Sequence, residues 1–183
     1  MKKLTLIIVA VLIGFTSDAQ ETGSKLDLRF GIGTSLLGTG DMITIMLENE
    51  ANFKLNRYFT LSGGVAYAKS IFGVFDQAAF IQLNSNIFIS PFRNNRKNDF
   101  RVGTGLSWYS VSDVYLSSAS YENGQLIDAD YELGKRNSRG FNIIIENTYT
   151  ITEKFLLGVK LFTQPYKNGD INSGFMLKFG FKI

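Results

Sequence analysis

Six charged side chains are the strongest candidates for chemistry in this sequence, because a β-strand pattern turns all of them to the same side. They are Arg29, Glu48, Glu50, Glu146, Lys160 and Lys178. The pattern places them at similar depths on neighbouring predicted strands. Acids and bases held together in this way can form an interlocked structural network, or they can line a narrow polar path for protons or small ions. The sequence leaves both interpretations open.

Catalytic chemistry has few residues to use. Histidine and cysteine are both absent from the sequence, which excludes Ser-His-Asp and Cys-His catalysis, histidine metal sites and thiolate chemistry. Gly31 and Gly33, like Gly103 and Gly105, are spaced by two, so they share one face of a strand and do not form a phosphate-binding loop. We therefore expect no enzyme activity and no catalytic, cofactor-binding or metal-binding residues.

A second candidate region surrounds residues 122–125, Glu-Asn-Gly-Gln, which form a hairpin turn signal. The flanking segments are predicted to continue into a protruding hairpin. It carries Tyr115, Tyr121 and Tyr131, which we predict to contact a partner. Exposed tyrosines on an extended edge suit a partner protein, a surface glycan or lipopolysaccharide.

The same hairpin carries an acidic group and a basic group. Asp128, Asp130 and Glu132 are either a solvated acidic stretch or a calcium site, although their spacing lacks the glycine turn of a calcium loop. The basic group consists of Lys135, Arg136 and Arg139. It is either a contact for lipopolysaccharide phosphates or plain solubilising charge.

These residues require strands to position them, and alternation of apolar and polar residues predicts eight strands. The predicted ranges are residues 25–36, 42–55, 59–69, 78–90, 99–111, 140–151, 155–164 and 173–183. One face of each strand is rich in Leu, Ile, Val and Phe, and the other mixes Gly and Ser with charges. Asn49 and Asn147 fall on the apolar face, which a β-bulge or a covering protein neighbour would explain.

The pattern indicates a closed antiparallel up-and-down barrel of eight strands. After the first 19 residues the sequence has no apolar run long enough for a spanning helix, so a membrane-embedded form must be a closed barrel. Joins after the even strands are mostly shorter than joins after the odd strands, and aromatic residues, including Tyr67, Trp108 and Tyr166, gather near strand ends. Both features favour a transmembrane barrel over a soluble barrel with its apolar face inward.

Residues 1–19 are predicted to be a cleaved signal peptide, and residues 20–183 a single barrel domain. Lys2 and Lys3 precede an apolar run from Leu4 to Phe15, and small residues follow it. The chain has 19 Lys and Arg against 16 Asp and Glu, a balance too even to favour nucleic acid as a partner.

The strand pattern over residues 25–183, together with the closing sequence Gly-Phe-Met-Leu-Lys-Phe-Gly-Phe-Lys-Ile at residues 174–183, resembles the small outer-membrane β-barrel domain proteins. These include the transmembrane domain of OmpA and the OmpX- and OmpW-type barrels. The resemblance implies insertion by the barrel assembly machinery, whose C-terminal signal departs here from the usual aromatic end at Ile183. It carries no functional residue across.

The sequence thus predicts a non-enzymatic protein of the bacterial outer membrane with a structural or interaction role, for which a small subunit of a larger complex is one form. Its expected partners are outer-membrane lipid, including lipopolysaccharide, and another outer-membrane protein. Two alternatives remain open from the sequence: a small channel or transporter for hydrophobic or ionic solutes, and a secreted soluble lipid-binding barrel.

Overall fold

A computed structural model describes residues 25–38, 42–71, 77–92, 97–122 and 124–183. The predicted signal peptide, residues 1–19, lies outside the described residues. Within the described ranges, no helix is long and apolar enough to cross a membrane.

The described residues form eight antiparallel strands. They are β1 (Leu26–Gly38), β2 (Met42–Lys54), β3 (Phe59–Ser70), β4 (Gln77–Ile89), β5 (Asn98–Glu122), β6 (Gln125–Thr150), β7 (Phe155–Pro165) and β8 (Ile171–Lys182). Each strand pairs with its neighbours in sequence, and β1 pairs with β8, which closes the barrel. The predicted fold class is therefore confirmed.

The two ends of the barrel differ. The connections β2–β3, β4–β5 and β6–β7 lie at one end, here called the short-turn end, and the other connections lie at the long-loop end. The β2–β3 turn is fixed locally, because the side chain of Asn56 accepts hydrogen bonds from the backbone N–H groups of Tyr58 (2.8 Å) and Phe59 (2.9 Å). At the long-loop end β5 and β6 run on into a hairpin, with Gly124 in the left-handed region at φ 78°.

The apolar face of every strand points away from the barrel axis. Leu28, Leu157 and Phe179 are each 40–46% exposed, whereas the neighbouring residues that alternate with them along β1, β7 and β8 are buried in the lumen. A soluble barrel would turn this face to its core, so the apolar-inward alternative is wrong. An exterior of this kind is stable where acyl chains replace water.

Asn49 and Asn147 do lie on the outer wall, but not because of a bulge. Their strand pairs keep an unbroken register, and register shifts occur only in the outer part of the β5–β6 pair. The bulge explanation is therefore wrong. Beside Asn49 the wall contains a hollow of about 460 Å³, lined also by Ala51 and Gly63.

Glycines on the inner face make room for large side chains in the narrow lumen. A Cβ atom on Gly31 would lie 2.9 Å from Cδ of Lys178, and one on Gly103 would lie 2.5 Å from the ring of Phe88. Gly33 has a different constraint, because its Cβ would lie 2.0 Å from the backbone oxygen of Phe175. These positions therefore require glycine for packing.

Candidate functional site

The lumen of the barrel holds four cations and four carboxylates, here called the charged layer. Its members are Asp27, Arg29, Glu48, Glu50, Arg101, Glu146, Lys160 and Lys178, and none is more than 3% exposed. Alternation along the strands turns each of them inward. The six residues predicted from the sequence all belong to this layer.

Two lysines and two glutamates form one half of the charged layer. Nζ of Lys160 lies 2.8 Å from both carboxylate oxygens of Glu48 and 3.1 Å from Oε2 of Glu50. Nζ of Lys178 lies 2.6 Å from Oε2 of Glu48 and 3.2 Å from Oε2 of Glu50. Each ammonium group therefore binds both carboxylates, and the four side chains form a closed ring of ion pairs.

Two arginines connect the remaining carboxylates to this ring. Nη2 of Arg101 lies 3.0 Å from Glu50 and 2.9 Å from Glu146. Arg29 forms an ion pair with Glu146 and donates from Nε to Asp27 at 2.6 Å. Because Arg101 bridges Glu50 and Glu146, all eight charges form one network with equal numbers of each sign.

Arg101 and Asp27 belong to this network although sequence reasoning did not include them. Arg101 pairs directly with Glu146 in the β5–β6 register, and it lies over the ring of Phe88, 3.9 Å from its centroid. Its inward position on the fifth predicted strand was visible in the sequence. The register that brings it opposite Glu146 was not, because predicted strand ends were uncertain by one or two residues.

Toward the long-loop end, the charged layer is followed by a layer of amide side chains. Gln82, Asn84, Asn142, Gln164 and Asn172 are buried there and exchange hydrogen bonds. A passage wide enough for water would leave the side chains that line it partly exposed. Both layers are instead almost fully buried, so the described side chains fill the lumen.

A cluster of polar side chains closes the mouth at the long-loop end. Tyr109 and Asn168 donate hydrogen bonds to Asp170, and Nε of Arg136 lies 3.0 Å from the same carboxylate. Burial disfavours ionisation of Asp170, but these hydrogen bonds and the positive charge of Arg136 outweigh it, so the pKa of Asp170 lies below its usual value. Arg136 also pairs with Asp113. The cluster therefore fastens the β7–β8 loop to the base of the hairpin.

Tyr166 in this loop turns into the lumen. Its ring contacts that of Tyr109 with the centroids 4.1 Å apart, and only 6% of Tyr166 is exposed. The interpretation of Tyr166 as part of an outer aromatic girdle is therefore wrong. Gly140 permits the loop to cross here, because a Cβ atom would lie 2.4 Å from the backbone oxygen of Pro165.

The hairpin beyond the mouth is a two-stranded ribbon. Among the described residues, 115–122 and 125–132 pair only with each other, which gives a projection of about 27 Å at the usual rise per residue. The face that continues the outer wall is apolar and includes Ile127, Tyr131 and Leu133, which are 60%, 48% and 63% exposed. The face that continues the lumen wall carries Asp128, Asp130 and Glu132.

The structure does not bring the three predicted contact tyrosines together. Tyr131 lies on the apolar face, whereas Tyr115 lies on the acidic face and donates a hydrogen bond to Glu132 at 3.0 Å. Tyr121 pairs with Leu126 near the tip and is 64% exposed. Tyr115 and Tyr131 lie on the barrel side of the register shifts, so parity along their strands separates them. The shift between Leu116 and Ser118 changes the alternation before Tyr121, so sequence spacing could not assign the face of Tyr121.

The predicted basic group is also divided between two faces. Lys135 and Arg139 are exposed on the outward face, at the level between the apolar wall of the barrel and the apolar face of the ribbon. Arg136 has the opposite parity and lies in the mouth, in ion pairs with Asp113 and Asp170. The prediction that all three share one contact surface is therefore wrong. Among the described residues, no group of three acidic side chains is arranged to hold a metal ion.

Solved structures similar to this chain are small outer-membrane β-barrels. Neisserial surface protein A matches with a TM-score of 0.65 and 10% identity, over 89% of this chain and 100% of that protein. Ail, the attachment invasion locus protein of Yersinia pestis, matches with a TM-score of 0.60 and 11% identity, over 87% of this chain and 99% of Ail. OprG from Pseudomonas aeruginosa has a TM-score of 0.56 and 9% identity, over 91% and 99%.

These likenesses establish the fold, that of the small eight-stranded outer-membrane barrels, which agrees with the resemblance found in the sequence. No protein-family model matches the chain, and the search of curated proteins found no match. At such low identity, function has to be argued from the side chains of this protein.

Proposed function

We propose that this protein is a non-enzymatic interaction barrel of the bacterial outer membrane, with a closed lumen and with its ribbon as the contact for a partner outside the cell. The observation that carries this proposal is the charged layer. Eight charges of balanced sign fill the lumen without exposed surface, so the bore serves stability and the binding surfaces lie at the ends of the barrel.

The location is supported by the apolar outer wall and by the fold. Long loops outside and short turns in the periplasm are the usual orientation of such barrels, which places the ribbon on the cell surface. The C-terminal strand would then serve as the signal for the barrel assembly machinery. Ail was solved in complex with sucrose octasulfate, a heparin analogue, so a barrel of this fold presents surface to a charged saccharide.

The apolar face of the ribbon is the proposed protein contact. Ile127, Tyr131 and Leu133 are all more than 45% exposed and stand above the level at which acyl chains end. An exposed apolar face of this kind is typical of a protein interface. Below it, Lys135 and Arg139 are exposed at the level of lipopolysaccharide phosphates, which supports the predicted lipopolysaccharide contact for these two residues.

Capture of partners from gently solubilised membranes tests the ribbon. The variant I127S/Y131S/L133S removes the apolar face, and D128N/D130N/E132Q removes the charge of the opposite face as a matched control. We expect the first variant to lose the outer-membrane proteins that co-purify with the wild type and the second to retain them. Equal capture by all three proteins would contradict the proposed contact.

Planar-bilayer recording tests the closed lumen and the alternative function as a small channel. Buried polar atoms without a hydrogen-bond partner among the described residues favour a narrow polar path. They include Nε of Arg101 and Oε2 of Glu146 in the charged layer and Oδ1 of Asn142 and of Asn172 in the amide layer. We expect no conductance above that of a lipid blank. Reproducible single-channel steps would support the channel.

A further inference from the structure

The short-turn end carries a cluster of lysines, here called the lysine arc (Lys25, Lys54, Lys154 and Lys182). Backbone hydrogen bonds place these residues side by side along the rim. The N–H of Lys54 donates to the carbonyl of Lys25, and the N–H of Lys182 donates to the carbonyl of Lys154, each at 2.8 Å. The arc therefore extends over β2, β1, β8 and the β6–β7 turn.

All four lysines lie on the mouth side of the rim. Lys54 continues the inward row of Glu50 on β2, and Lys182 continues the inward row of Lys178 on β8. Lys25 precedes the buried Asp27, and Lys154 precedes the buried Leu156, in each case by two residues. The arc therefore faces the mouth of the barrel and the solution beyond it.

The positive charge of the arc is not neutralised within the described part of the chain. None of the four lysines forms an ion pair with a described residue. Lys54 and Arg29 repel Lys182, and the acids within its electrostatic reach are Asp27 and Asp99.

Asp27 and Asp99 already accept hydrogen bonds from other residues. Asp27 receives two hydrogen bonds from Arg29, at 2.6 and 3.1 Å, and Asp99 receives one from Ser90 at 2.9 Å. Glu153, which precedes Lys154 in the β6–β7 turn, is exposed and adds one negative charge to this rim. An excess of positive charge remains at the mouth.

We propose that the lysine arc is a second docking site, which binds an acidic polypeptide segment on the periplasmic side. Neighbouring strands are about 4.8 Å apart, so the arc is too long for one small anion and requires several negative charges in series. Its mouth-side position disfavours lipid headgroups, which meet the barrel from the outer wall. The site deepens the proposed role as an interaction barrel, but it does not depend on the ribbon.

Fluorescence anisotropy of a labelled twelve-residue polyglutamate peptide tests this site on the full-length mature barrel in an uncharged detergent. The variant K54Q/K154Q removes two charges from the arc, and K69Q/K167Q removes two exposed charges from the long-loop end as the matched control. Lys182 is left in place because it donates to Thr150 at 3.1 Å. Heat-modifiable gel mobility shows that each variant is folded.

We expect the arc variant to weaken peptide binding at least tenfold and the control to weaken it less than twofold, with the wild-type affinity falling as salt rises. Equal losses in the two variants would overturn the proposal, because they would show a response to net charge alone. Displacement of the peptide by inorganic phosphate at equal charge concentration would also overturn it.

Failure of this site and failure of the ribbon proposal can be told apart. The ribbon variant I127S/Y131S/L133S should bind the acidic peptide with wild-type affinity, since its changes lie at the opposite end of the barrel. A loss of peptide binding in that variant would contradict a site confined to the arc.

Discussion

Removing both lysines from the charged layer should destabilise the barrel far more than removing either one. Lys160 and Lys178 each contact both Glu48 and Glu50, at 2.6–3.2 Å. In K160M or K178M the remaining ammonium group still lies between the two carboxylates. We therefore expect each single variant to lose about 1–2 kcal/mol, less than the roughly 3–5 kcal/mol typical of a broken buried pair.

The double variant has no such compensation. Glu48 keeps only a long contact of 3.5 Å from the amide of Asn84, and Glu50 keeps only Arg101. Two carboxylates that lost every cation would cost about 6–10 kcal/mol in total at the usual 3–5 kcal/mol each. Arg101 beside Glu50 and protonation of Glu48 limit the loss to about 5 kcal/mol. The loss therefore exceeds the sum of the single losses by about 2 kcal/mol, which is the coupling expected of a shared network.

The assay is equilibrium unfolding in urea of the detergent-solubilised barrel, followed by tryptophan fluorescence of Trp108, the single tryptophan, and by heat-modifiable gel mobility. K69M/K167M removes two exposed lysines as a control and should unfold like the wild type. In K160M/K178M/E48Q/E50Q the charges of the layer balance again, and we expect most of the lost stability to return. A double variant that loses less than about 1 kcal/mol, or only the sum of the single losses, would refute the network.

Three further perturbations have defined outcomes. R101M should lower the free energy of unfolding by about 3–5 kcal/mol in the same assay, because it leaves Glu50 and Glu146 without the arginine that bridges them. A loss below about 1 kcal/mol would contradict the bridging role. G33A should destabilise the barrel by more than about 2 kcal/mol, because its Cβ atom would overlap a backbone oxygen. The control G63A should be neutral, because its Cβ atom would meet nothing within 4 Å. Similar unfolding midpoints for the two variants would contradict the packing argument. The pKa of Asp170 is lowered in the folded protein, so its contribution to stability is present above the ordinary aspartate pKa of about 3.9 and is lost as the pH falls below it. The protection factors of the β7–β8 loop amides, which remove the intrinsic pH dependence of hydrogen exchange, should stay high at pH 5 and fall near pH 3. In R136Q they should be lower already at pH 7.

The eight strands and their sidedness could be predicted because apolar and polar residues alternate with a period of two along the sequence. The sequence of the last strand, from Phe175 to Ile183, alternates apolar residues with Gly, Met and Lys, and that alternation alone decides which residues face the lumen. The turn signal at residues 122–125 likewise predicted the extension of β5 and β6, because Gly124 accepts the positive φ that a tight hairpin requires.

Contacts between strands could not be predicted with the same certainty, because they depend on register. Arg101 was placed on the correct face, but its position opposite Glu146 follows from pairing along the whole of β5 and β6. In the ribbon, the register shift between Leu116 and Ser118 reverses the alternation that leads to Tyr121. Arg136 differs from Lys135 and Arg139 only in parity, yet this difference places it in the mouth.

Sidedness is tested most directly by nitroxide labels on single cysteines, which the cysteine-free chain accepts without further change. Labels at Leu28, Leu157 and Phe179, in barrels reconstituted into lipid vesicles, should be freely accessible to oxygen dissolved in the bilayer and protected from a water-soluble nickel reagent. Labels that neither reagent reaches would place these residues inside the barrel, and labels that the nickel reagent reaches would place them in water. Either result would contradict a barrel with an apolar wall in lipid and a closed, charged lumen.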